Sequence, residues 1–312
     1  PIASRERHPK KSASDCFRES KAAYEFLEAH RSEFEVTVMC RVLSVSRSGY
    51  YEWRRREPNQ QTVENERLLG SIREIHVASL ESYGVPRIYK ALRVRGHVVN
   101  RKRVERLMRM NQIQGTSPRR KWVRTTDSNH ELPVAANILN RNFHANKPNQ
   151  KWVADITYIP TDEGWLYLAT VLDLFSRKIV GWSMTDTLET PLVLKALKMA
   201  IITRQPDAGL LHHSDRGSQY ASHEYQALLK QFQVQPSMSR TGNCYDNAVM
   251  ESFFGTIKSE LIRQRHYRTK AEARTDIFPY IETFYNRQRI HSTLGYLSPD
   301  DFEVAYMTQS LS

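Results

Sequence analysis

The apolar positions of this 312-residue chain change period partway along it. From residue 151 strand-like runs come first: KWVADITYIP (151–160), then 165–172 and 179–185, each rich in Val, Ile, Leu and Tyr. A helical period follows over 190–204, then a short apolar strand at 209–213, a helix over 222–232, a short strand at 234–238, and helices over 246–263 and 270–289. Pro279 falls inside the last helix and should kink or restart it. Three strands followed by alternating helix and strand predict an α/β fold.

Ahead of residue 151 the pattern is helical. ESKAAYEFLEAHR (19–31) repeats Ala23, Phe26 and Leu27, and 36–56 reads as two short helices with a turn near Ser44–Val45–Ser46. That pair is either a small helix-turn-helix or a hairpin whose core is Tyr50, Tyr51 and Trp53. A better marked pair follows. PRIYKALRVRG (86–96) points Ile88, Ala91 and Leu92 inward and ends at Gly96, and Asn100 has the chemistry of an N-cap for RKRVERLMRM (101–110). Val104, Leu107 and Met108 make the inner face of that second helix, and Arg101, Lys102, Arg103, Arg106 and Arg109 its outer one. The organisation expected is a basic, poorly ordered tail (1–18), a helical region (19–125), a linker (126–150) ending near Lys147–Pro148–Asn149, and an α/β core (151–305). Trp122, set among basic residues ahead of that linker, could stack on a base or anchor the chain.

Charge sharpens the division. The net charge is +12, and residues 1–130 hold 27 Lys and Arg against 15 Asp and Glu, while 131–312 hold 19 of each. The whole basic excess therefore lies in the helical part, as in a polyanion-binding arm, and the outer face of 101–110 suits a nucleic-acid groove. Three scattered cysteines, Cys16, Cys40 and Cys244, offer neither a disulfide framework nor zinc-ligand spacing. No apolar run is long enough for a membrane span and no signal peptide is visible, so a reduced, cytoplasmic setting is expected.

Candidate chemistry collects on three carboxylates. Asp155 is the single charge inside an apolar strand, and Asp215 ends the strand GLLHHSD. Glu251 lies on an amphipathic helix whose buried stripe is Met250, Phe254, Ile257 and Leu261. Lys258 shares the edge of Glu251, seven residues on, with Gly255 leaving that edge bare between them. Carboxylates brought together repel unless a divalent cation intervenes, and oxygen-only ligation suits Mg²⁺ or Mn²⁺. Two such ions about 4 Å apart serve in-line displacement at phosphorus. His212, His213 and Asp173 read first as packing, hydrogen-bonding and turn-capping groups, and Arg287 as either a phosphate contact or a salt bridge. No nucleophile elbow or glycine-rich phosphate loop is present.

WVADITYI, GWLYLATVLDLFSRKIVGW, HHSDRGSQY, SMSRTGNCYDNAVMESFFGTIKSEL and YNRQRIHSTLGYLSP, in order from about 151 to 299, resemble the bacterial insertion-sequence transposases whose core is similar to retroviral integrases. Thirty-five residues separate Asp215 from Glu251, which fits that family's spacing. The resemblance implies a ribonuclease H-like, five-stranded mixed sheet with its first and fourth strands adjacent, preceded by a small all-α helix-turn-helix region. It implies a DDE transposase with Asp155, Asp215 and Glu251 as catalytic metal ligands for two Mg²⁺ or Mn²⁺ ions, and with Lys258 on DNA. The expected partners are double-stranded DNA (element ends and target), further copies of the chain assembled on that DNA in the bacterial nucleoid, and an upstream helix-turn-helix protein or fused segment. Its integrase relatives' zinc-binding His/Cys module is not seen here. A ribonuclease H or junction resolvase on the same fold, and a DNA-binding regulator with an inactive core, are the rival readings.

Overall fold

The computed structural model describes residues 20–55, 59–116, 132–240 and 244–310. The basic tail 1–18, Arg56, Trp122 and residues 241–243 lie outside them. Compactness divides the chain between Arg67 and Leu68. The sequence pattern places the change of character across 126–150 instead.

The first unit holds α1 (Ser20–His30), α2 (Val36–Val42) and α3 (Arg47–Arg55). Ala23, Leu27, Met39, Cys40, Leu43 and Tyr50 are buried together, with Tyr51 and Trp53 packed against them. The aromatic trio is thus core, and Tyr50 donates its hydroxyl hydrogen to Glu28 Oε2 at 2.5 Å. The boundary between the units falls within α4 (Gln60–Ala78), a helix the hydrophobic pattern does not single out.

In the second unit, the end of α4 packs with α5 (Val85–Val94) and α6 (Arg101–Met110) through Leu68, Ile72, Ile75, Ile88, Leu92, Val104, Leu107 and Met108. Asn100 caps α6 as expected, its side chain accepting from the Lys102 N–H at 2.9 Å. After α6 the chain runs back against the turn before α5, so closely that a Cβ on Gly115 would collide with the Gly84 nitrogen. Only glycine fits there.

Residues 132–150 are no free tether. Leu139 is buried, and the Ile138 and Leu139 N–H groups both donate to Ser237 Oγ. The sheet they lead into has β1 (Lys151–Thr161), β2 (Gly164–Asp173), β3 (Ile179–Thr185), β4 (Leu211–Ser214) and β5 (Gln235–Met238) in the order β3-β2-β1-β4-β5. β1–β2 and β2–β3 pair antiparallel; β1–β4 and β4–β5 pair parallel. The predicted adjacency of the first and fourth strands holds.

Strand alternation divides β1 between two cores. Trp152 and Ala154 face α7 (Thr190–Arg204) and α9 (His223–Gln231), the latter entered through the short α8 (Ser218–Ala221). Val153 and Ile159 face α10 (Ala248–Glu260) and α11 (Lys270–Pro279). Gly181 of β3 lets α7 approach, since a Cβ there would run into the Ala196 carbonyl oxygen. α11 ends at Pro279 and the chain continues as a π-helical turn, Tyr280–Tyr285, which is the restart expected from proline's missing N–H. A final helix, α12 (Pro299–Ser310), extends the fold beyond the predicted elements. No described helix is long and apolar enough to cross a membrane.

Candidate active site

The parallel pairing of β1 with β4 decides where the first two carboxylates go. Val153 is in register with His213, and two residues further along both strands bring Asp155 level with Asp215. Asp155 accepts from the Ile156 N–H at 2.8 Å, and Asp215, just past the end of β4, accepts from the Gly217 N–H at 2.9 Å. Asp155 shares its strand face with Val153, so it points to the side covered by α10.

Glu251 lies in the first turn of α10, and that turn is fastened to the sheet. Asn247, which precedes the helix and is itself buried, donates from Nδ2 to the Ala154 carbonyl at 3.2 Å, one residue from Asp155. Met250, Phe254, Ile257 and Leu261 are buried as the periodicity predicts, and nothing lies within 4 Å of a Cβ built on Gly255. Glu251 is exposed and Lys258 half-buried, with Lys258 Nζ 4.7 Å from the centroid of the Tyr158 ring.

The charges act on one another. Burial, the charge of Asp215 and then that of Glu251 push the Asp155 carboxyl well above the usual range, opposed by the Ile156 N–H and by Lys258. Burial and Arg263 lower Lys258, and Asp155 works against them. One electrostatic group therefore contains Asp155, Asp215, Glu251 and Lys258. Among the described residues, however, no three His, Cys, Asp or Glu side chains converge closely enough to hold an ion. The donor set is still the right kind for a hard cation: oxygen only, and with its central carboxyl disfavoured as an anion until positive charge arrives.

The histidines of β4 are hydrogen-bonded packing groups on the two faces of the sheet. His212 Nε2 is 2.7 Å from the Tyr225 hydroxyl, and His213 lies 2.8 and 3.1 Å from the hydroxyls of Ser237 and Ser239. Burial lowers the rings to about 3 and about 4, so both are neutral near pH 7. Asp173 caps the turn after β2, accepting from the Asn149 and Phe175 N–H groups, and burial pushes it up to about 6. Arg287 is exposed, 3.9 Å from Asp300. Burial and Arg289 bring His291 down to about 2, with its ring edge-on to Tyr285. On α6, Arg101, Lys102, Arg106 and Arg109 are exposed and Arg103 is half-buried.

Sequence reasoning missed Asp246. This carboxylate is wholly buried just ahead of α10 and takes five hydrogen bonds. Oδ2 accepts from Asn137 Nδ2, the Arg240 N–H and Arg240 Nε, while Oδ1 accepts from Arg141 Nε and Arg240 Nη2, all at 2.8–3.0 Å. The Arg240 guanidinium holds its carboxyl well below the usual range. Together Asp246 and Asn247 tie the entry to α10 to residues 137–141 and to β1. An acid–amide pair directly ahead of an amphipathic helix is the available signal.

Comparison with known proteins places the chain in a family. Family models described as "Integrase core domain" match residues 145–244 and 232–299, and one described as "HTH-like domain" matches 64–121. The chain is 47% identical over 268 residues to an insertion element IS600 uncharacterized 31 kDa protein of Shigella sonnei, covering 86% of this chain and 98% of that protein. It is 43% identical over 282 residues to transposase InsF for insertion sequence IS3A of Escherichia coli K12, covering 90% and 98%. The HTLV-2 integrase catalytic core domain, solved in complex with magnesium, superposes with a TM-score of 0.41 at 16% identity, covering 51% of this chain and 99% of that one. With relatives this similar over nearly their whole length, the chain belongs to the IS3 family of insertion-sequence transposases, enzymes built on an integrase core and an HTH-like domain.

Proposed function

We propose that Asp155, Asp215 and Glu251 are the metal-binding carboxylates with which this transposase cuts and joins DNA at the inverted-repeat ends of its element. The observation that carries the reading is the β1–β4 register that brings Asp155 level with Asp215, with the first turn of α10, which bears Glu251, fastened beside it through Asn247. Glu251 is exposed on α10, so closing the group around a cation asks for a movement of that side chain and leaves the buried core undisturbed. Two bound Mg²⁺ or Mn²⁺ ions would supply Lewis acidity, stabilising charge on the attacking and leaving oxygens.

The chain's own groups do the rest. Asp155, Asp215 and Glu251 would hold the cations, with Asp155 as the buried carboxyl on which the charges of the other two act. Lys258, partly desolvated above Tyr158, binds a phosphate next to the scissile one. The attacking oxygen is that of water in cleavage and of the freed 3′-OH in joining. In each case its bond to phosphorus forms as the bond to the opposite 3′-oxygen breaks, and no covalent link to the protein arises. Arg101, Lys102, Arg103, Arg106 and Arg109 contact the duplex, and two or more copies bring both ends together. Arg287 is a weaker candidate for DNA, given its ion pair with Asp300.

The test is a strand-transfer assay with duplexes carrying the element's own ends, Mn²⁺ or Mg²⁺, and a supercoiled target. Asp155→Asn, Asp215→Asn and Glu251→Gln should each abolish cleavage and joining while leaving the fold intact. Near-normal joining by any of the three would remove that residue from the site.

A further inference from the structure

The helices matched by the HTH-like model are docked on the catalytic core by polar groups that fix their register. Tyr83, just ahead of α5, accepts from the Ile290 N–H at 2.8 Å and donates to the Gln288 carbonyl at 3.4 Å. Arg87, one helical turn on, reaches Glu260 at 3.7 Å and stacks over the Tyr83 ring, and Lys90 lies over the Tyr296 ring. All three occupy one edge of α5 or its approach.

Glu260 is the last residue of α10. It is buried in a two-pronged pair with Arg289 at 2.7 and 2.8 Å and accepts from the Tyr280 hydroxyl at 2.9 Å. Nine residues earlier on the same helix stands Glu251, about 13 Å away along the axis. The apolar residues beneath α5 and α6 and those beneath α10 form one continuous buried cluster. Apolar contact alone is non-directional and tolerates sliding, whereas buried hydrogen bonds and ion pairs permit one arrangement. Resting on the function proposed above, we infer that Tyr83 and Arg87 are positioning residues that lock α6 at a fixed distance from the carboxylates, so that the enzyme measures its cleavage point from the sequence α6 reads.

One inserted base pair advances the DNA by about 3.4 Å and rotates it by about 35°. A misplacement of about 1 Å can already cost roughly 100-fold in rate. The phosphate that was cut is then out of reach, and the phosphate now at the set distance takes its place.

The experiment uses the full chain with Mn²⁺ and end duplexes carrying zero, one or two base pairs inserted between the footprint of α6 and the native cut. The cut positions are read at nucleotide resolution. For the unaltered chain the cut should move with the footprint, by one and two nucleotides, with cleavage at the native position falling about 100-fold. In Tyr83→Phe/Arg87→Gln the footprint and affinity should be kept while cuts scatter over neighbouring positions. Tyr83→Phe alone, which removes one hydroxyl, should show a lesser scatter, and Arg87→Lys should restore a single cut. A cut that stays with the terminal sequence whatever the insertion, or variants that cut as sharply as the unaltered chain, overturns the inference. Failure of the unaltered chain to cut the uninserted duplex would instead count against the proposed function.

Discussion

Asp246→Asn is the most informative single substitution outside the carboxylate group. All five partners of Asp246 are donors, three on Oδ2 and two on Oδ1. An asparagine has one acceptor oxygen, so whichever way it turns its NH₂ faces at least two donors. The better orientation keeps the Oδ2 partners and loses the bonds from Arg141 Nε and Arg240 Nη2. A hydrogen bond to a charged group contributes about 1.5–3 kcal/mol. The lower value applies here, because both guanidinium groups are about half exposed and can turn to water. Two bonds then give about 3 kcal/mol, or roughly 150-fold in the unfolding equilibrium. Urea unfolding at pH 7 measures it directly. A second readout is the pH dependence. The folded-state pKa is depressed, so the stabilisation is present above the unfolded value of about 4 and is lost as pH falls through the folded one. The stability gap between the unaltered protein and the Asp246→Asn variant should therefore narrow below pH about 4. A loss under about 1 kcal/mol, or a gap independent of pH, would refute the reasoning. Cleavage should fall as well, since the same turn sets the start of the helix bearing Glu251.

Asp155→Asn should raise the metal-free melting temperature at pH 7 while eliminating activity. The raised pKa means that folding is favoured while Asp155 is protonated and disfavoured as pH rises through the folded value, and the amide never pays that penalty; equal melting temperatures would show the repulsion to be absent. Lys258→Ala should weaken end-specific cleavage at least several-fold and leave Mn²⁺ binding unchanged by calorimetry, whereas a shift in metal affinity without a change in DNA affinity would contradict the phosphate role. Reversing Arg103 and Arg106 to Glu in the full chain should reduce the slope of log affinity against log salt by about 0.9 for each phosphate no longer neutralised, measured by fluorescence anisotropy. An unaltered slope would make the basic face of α6 a merely solvated surface.

The strands and their succession along the chain are readable because β1, β2 and β3 are long apolar runs separated by turns. That Asp155 lies beside Asp215 comes from the family resemblance, since no local pattern reports which strands pair. α4 escapes notice because its first half is polar and its apolar residues, Leu68, Ile72 and Ile75, find their partners on α5 and α6. α12 is held by tertiary contact: Glu303 receives Arg204 from the end of α7, at 2.8 Å. Asp246 is hidden for a similar reason. SRTGNCYDN reads as turn chemistry, and the arginine that completes its shell, Arg141, lies 105 residues away.

The parallel pairing of β1 with β4 also sets a timetable for synthesis. Asp155 is translated 60 residues before Asp215 and 96 before Glu251. At about 5–20 residues per second, β1 waits roughly 3–12 s for β4 to cover its second edge and roughly 5–20 s for Glu251. An open strand edge invites pairing with a neighbouring nascent chain, so this interval is when the protein is most exposed to misassembly. It is also an interval without chemistry. On the function proposed above, a chain released before α10 is made would hold two of the three carboxylates and would not cut.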